Sequence, residues 1–63
     1  MLKVEEHIVV SNKDSVGNIP PNTKGTIVHV YPSNDSVVEV EFFDNNGNTL
    51  SVETVSVLNL KER

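Results

Sequence analysis

The sequence predicts an all-β domain, a single small barrel of five strands, and three observations carry that prediction. Residues 24–54 hold three runs rich in Val, Ile, Phe and Thr, separated by short stretches of Pro, Ser, Asn, Asp and Gly, the pattern of successive hairpins. No stretch repeats its apolar residues at the 3.6-residue period of a helix. The chain has 63 residues, 37% of them apolar, which is enough to fill one thin core, and closing the sheet on itself is the most direct way to hide its edges.

Each element follows from its residues. His7-Ile8-Val9-Val10 is a short apolar run bounded by Ser11-Asn12 and reads as the first strand. Ser11 to Thr23 has no sustained period and collects Asn, Asp, Ser, Gly and a Pro pair, so it reads as a loop that tucks one of its two apolar residues, Val16 or Ile19, into the core. Pro20-Pro21 lacks two successive amide donors and holds an extended entry to the second strand. Asn22 follows where a positive φ is convenient.

The meander sets the register. Pairing Tyr31 with Val37 around a loop from Pro32 to Ser36 puts Val28 opposite Val40 and Thr26 opposite Phe42. Pairing Asp44 with Asn48 around Asn45-Asn46-Gly47 puts Phe42 opposite Leu50 and Val40 opposite Val52. Together the two turns predict one apolar face made of Val28, Val30, Val38, Val40, Phe42, Leu50 and Val52. A two-residue Asn46-Gly47 turn is set aside because it would oppose Val40 with Glu53. Val55 to Leu60 reads as a tight turn into a last strand of two to four residues, and Lys61 to Arg63 as a charged tail. Three meander strands with two short terminal ones make a five-stranded SH3-like barrel.

Composition narrows the function classes. The chain has no cysteine, so neither a disulfide framework nor a thiolate metal site is available. No apolar run reaches the length of a membrane-spanning helix and no apolar leader opens the chain, so a cytoplasmic protein with no membrane partner is expected. Net charge is -4, and Lys3, Lys13, Lys24, Lys61 and Arg63 are scattered in sequence, which disfavours nucleic acid.

No catalytic constellation emerges. There is no strained serine elbow, no Cys nucleophile and no glycine-rich strand-to-helix turn, so an enzyme is not expected and no cofactor is implied. In the predicted register His29 faces Glu39 and Glu39 faces Glu53 on the outward side. These three are the remote candidates for a metal, against the plainer reading of a solvated face, which is preferred because a flat row offers no convergent shell. The same outward side is expected to carry Ile27, Tyr31, Val37, Phe43 and Val55. Read as a partner-binding patch, it has Tyr31 and Phe43 as anchors and Glu39 and Glu41 as acidic groups suited to a basic partner. The competing reading buries part of that row beneath the terminal strands.

Ile19-Pro20-Pro21-Asn22-Thr23-Lys24-Gly25-Thr26-Ile27-Val28, then Val38-Glu39-Val40-Glu41-Phe42 followed by Asp44, Gly47 and Leu50, resembles a family of small bacterial proteins catalogued as domain of unknown function 4926. Its pattern runs apolar-x-x-G-x-x-G-T-V-V, then V-E-V-E-F, then D-x-x-G, and Asn22 stands where the family has its first Gly. The resemblance implies an SH3-like barrel without known catalysis. Some members are encoded beside toxin-like proteins, which implies an antitoxin- or immunity-like role with a toxin-like partner. The Gly25-x-Ile27 step is also similar to the KOW element of ribosomal and transcription-factor barrels, which implies a nucleic-acid-binding module as the alternative, although the basic residues of those modules are missing. The expected function is a non-catalytic protein-interaction module whose partner is another protein or a second copy of itself.

Overall fold

The computed structural model describes residues 2–63. Five strands form one antiparallel sheet: β1 (Val9–Asn12), β2 (Lys24–Tyr31), β3 (Asn34–Phe43), β4 (Thr49–Ser56) and β5 (Leu60–Glu62). A single 3-10 turn, Val57–Asn59, joins the last two, with the Ser56 hydroxyl accepting from the Leu58 amide. The strand order is β4-β3-β2-β1-β5. β4 and β5 are not paired with each other, so the sheet stays open at both edges and the expected barrel closure is not realised.

The first strand begins two residues later than its apolar run suggested, because its inward positions are Val10 and Asn12, both fully buried. Asn12 organises the long loop. Its side-chain amide donates to the Asp14 and Pro20 carbonyls at 3.0 and 2.9 Å, and its side-chain oxygen accepts from the Thr23 amide at 2.8 Å. A buried amide is tolerable only when satisfied in this way. The loop delivers Ile19 into the core, with Val16 packed partly against it and bridged to it by backbone hydrogen bonds. Asn22 adopts the positive φ expected of it, 63°, and Gly47, in the β3–β4 turn, has a φ of 85°.

The meander forms, but its register shifts at three places, between Ile27 and His29, between Val30 and Tyr31, and between Phe42 and Phe43. Val30↔Val38 and His29↔Glu39 pair as expected, whereas Ile27, not Val28, lies opposite Val40 because Val28 is an extra residue in β2. Ile27 is thereby fully buried and Val28 left at the surface. The turn between β2 and β3 is only Pro32-Ser33, since Tyr31 pairs with Asn34; the expected Tyr31–Val37 pairing is replaced by Val37↔Ser56.

At the second hairpin the three-residue turn is as expected, with the Asp44 amide donating to the Asn48 carbonyl at 2.9 Å. Leu50 then bulges out between Phe43↔Thr49 and Phe42↔Ser51, so Val40 faces Glu53 after all and Val38 faces Val55. A one-residue slip inverts every later side chain. Val55 enters the core, while Leu50 and Val52 are 48% and 53% exposed.

The core is Val10, Ile19, Ile27, Val38, Val40, Phe42, Val55 and Leu60. Gly25 in β2 makes room for it: a Cβ there would lie 2.6 Å from a Val40 methyl and 3.1 Å from the Phe42 ring.

Candidate interaction face

The residues of β3 that alternate with Val38, Val40 and Phe42 form the outer side of the sheet: Val37, Glu39, Glu41 and Phe43, all half-buried. Cross-strand pairing brings His29 and Thr54 beside Glu39, and Thr26 and Val52 beside Glu41.

Glu39 is the best-connected group on this side. The Tyr31 hydroxyl donates to its Oε2 at 2.8 Å and the Thr54 hydroxyl donates to the same oxygen. The His29 ring meets the Tyr31 ring edge-on, 4.7 Å between centroids. The Thr54 bond, then the Tyr31 bond, hold the Glu39 carboxyl below its ordinary range, because hydrogen bonds to the charged form favour it. The same Glu39 bond raises the Tyr31 phenol, which must lose its donated proton to ionise. Glu41 accepts from the Thr49 hydroxyl at 2.7 Å. Among the described residues the ion pair present is Lys3–Glu5, at 3.5 Å; Glu39 has His29 opposite it across the strand, and no Lys or Arg of the described residues forms an ion pair with Glu39 or Glu41. Around them lie the exposed apolar residues Val9, Val28, Leu50 and Val52.

This differs from the patch expected from the sequence. Tyr31, Val37, Phe43, Glu39 and Glu41 are on the outer side, but Ile27 and Val55 are core residues, carried inward by the bulges at Val28 and Leu50. The set His29, Glu39 and Glu53 does not converge. Glu53 lies opposite Val40 on the inner side, and among the described residues no group of three His, Asp or Glu side chains is placed to hold a metal.

Thr49, Val52, Thr54 and Val9 were missed, since each owes its place to a register or a strand start that the sequence did not fix. At one end of the molecule a groove of about 540 Å³ runs between the Pro20–Lys24 stretch and the β3–β4 turn, with Lys24, Phe43, Leu50 and Arg63 among its walls. Asp44 also lines it, but its carboxylate is occupied by the amides of its own turn, the Asn48 amide foremost, which hold it below its ordinary range.

The sequence profile of a domain of unknown function, DUF4926, matches residues 7–61. The chain belongs to the DUF4926 family. That match takes in β1 to β4, the first two residues of β5 and every residue of the outer face named above, and leaves out Glu62 and Arg63. No curated protein and no solved structure is matched by the chain.

Proposed function

We propose that this DUF4926 chain is a non-catalytic, cytoplasmic protein-interaction module that works through the outer side of β2, β3 and β4. The observation that carries this reading is Glu39 and Glu41: two half-buried carboxylates, ordered by Tyr31, Thr54 and Thr49, with no Lys or Arg of the described residues paired to them and exposed valines beside them. Charged groups fixed at the centre of an apolar patch select a complementary partner and reject like-charged ones. The partner is a protein, basic or toxin-like in the antitoxin setting that the family resemblance implied, or a second copy. An SH3-like arrangement of the five strands, open at both edges, is the architecture we propose. Its support is the strand order, the long β1–β2 loop and the one-turn 3-10 segment before the last strand. The test is affinity capture from the native host with the wild type and with Tyr31→Ala/Phe43→Ala. The wild type is expected to retain a specific protein or its own untagged copy, and the double variant, its fold verified by circular dichroism, to lose it. Equal capture by both would contradict the reading.

A KOW-like nucleic-acid role is the second reading. Ser11 pairs with Lys24 on one side and Lys61 on the other, and Arg63 lies in the same region, so three of the five basic residues share one end. Three cations are a thin phosphate footprint. Filter binding to single- and double-stranded RNA at low salt decides it, since salt-dependent retention is required.

A further inference from the structure

One row of the outer side crosses four strands: Val9 of β1 pairs with Thr26 of β2, Thr26 with Glu41 of β3, and Glu41 with Val52 of β4. Its two ends are exposed valines, 41% and 53% accessible, and its centre is a hydroxyl beside a carboxylate. The next row toward the β2–β3 turn sets His29 beside Glu39. A shallow depression lined by Val9, Lys24, Thr26, Phe43 and Gly47 lies at the other flank.

This pattern is complementary to itself under one symmetry. Consider two copies stacked outer side to outer side about a two-fold axis parallel to the strands and between β2 and β3. Each residue then lies over the cross-strand partner of its counterpart: Thr26 over Glu41, His29 over Glu39, and Val9 over Val52, each contact made twice. Lys24 comes over the Phe43 ring, a favourable cation–ring arrangement. A two-fold across the strands would instead stack Glu41 on Glu41.

We propose that the outer side of this sheet is the interface of a homodimer with the first of these symmetries. The proposal rests on the interaction-module reading and names its partner as a second copy. The molecule measures 32 × 20 × 19 Å, so one broad side is at most comparable to the roughly 800 Å² per partner of a standard interface, and the dimer is weak and concentration-dependent.

Sedimentation equilibrium from 5 to about 500 μM tests it, with three variants at positions exposed enough to leave the fold intact. The wild type is expected to pass from monomer to dimer over that range. Val9→Lys alone and Val52→Glu alone should each shift the midpoint at least tenfold upward. The double variant Val9→Lys/Val52→Glu should restore dimerisation, because Lys then lies over Glu in the partner, while within one copy two strands separate them. A wild type that stays monomeric throughout overturns the dimer, as does a dimer indifferent to the single changes or not restored in the double variant. A monomeric wild type that nonetheless captures another protein through Tyr31 and Phe43 overturns the dimer and leaves the interaction-module reading standing. Loss of both overturns the two together.

Discussion

β3 and β4 are adjacent strands that both alternate apolar with polar residues, yet they use that alternation in opposite ways. In β3 the alternation Val38, Val40, Phe42 is unbroken and all three side chains are fully buried. In β4 the alternation Leu50, Val52 is equally clear, but both are about half exposed, and the inward positions are Ser51, Glu53 and Val55. The difference comes from position in the sheet. β3 has a neighbour on each side and must present its apolar face to the core, whereas β4 is an edge that needs only Val55 near the centre. An extra residue at Leu50 and an inward-leaning Glu53 also make that edge a poor template for further strand pairing.

The contrast is most sharply broken at Phe42 and Leu50. Phe42→Ala should cost about 3–5 kcal/mol, comparable to the whole stability of a domain this small, and leave the chain largely unfolded by circular dichroism at 25 °C. Leu50→Ala should cost less than about 1 kcal/mol in urea denaturation. Gly25→Ala comes next. The added methyl meets Val40 and Phe42 of β3 inside contact distance, and a loss of about 1–3 kcal/mol is expected.

The valines give a comparison at fixed chemistry. Val40→Thr buries a hydroxyl and should lower stability by about 1–3 kcal/mol, while Val52→Thr on the exposed side should stay within about 0.5 kcal/mol. Equal effects would erase the distinction between the strands.

The smallest effect is on acid stability. Glu39 and Asp44 are held below their ordinary values of 4.5 and 3.8, Glu39 by hydroxyl donors and Asp44 by turn amides. Folding therefore releases protons. The stability they contribute is present above those ordinary values and is lost as pH falls through the lower folded ones. The urea midpoint should be flat from pH 8 to about 5.5 and fall below about 4.5. Asp44→Asn should lower the midpoint at neutral pH and make the acid decline shallower.

Much of this was legible in the sequence. The all-β class, the meander, the turn at Asn45-Asn46-Gly47, the positive φ of Asn22 and the short last strand all follow from local chemistry, and local chemistry is what a sequence displays. The inner face of β3 was legible too, because a period of two over five residues admits one assignment. The bulges at Val28 and Leu50 were not. Nothing in Ile27-Val28-His29 or Thr49-Leu50-Ser51 marks an extra residue, since which side chain turns inward is settled by what fits beneath Val10, Val38 and Val40 across the sheet. Asn12 was missed for the same reason: its partners Asp14, Pro20 and Thr23 are assembled only by the folded loop. The side of the sheet was therefore read correctly for five of the seven residues expected on that face, Tyr31, Val37, Glu39, Glu41 and Phe43, and wrongly for Ile27 and Val55.

Cross-strand contacts between backbone α-protons measure that register directly. In a nuclear Overhauser spectrum of the labelled protein, cross-strand contacts should follow the pairings Val38 with Val55, Val40 with Glu53 and Glu41 with Val52, with the Val40 and Val52 side chains on opposite sides of the sheet. Contacts that pair Val40 with Val52 and Phe42 with Leu50 would contradict it, return those side chains to the core, and remove the outer face on which the interaction and dimer proposals stand.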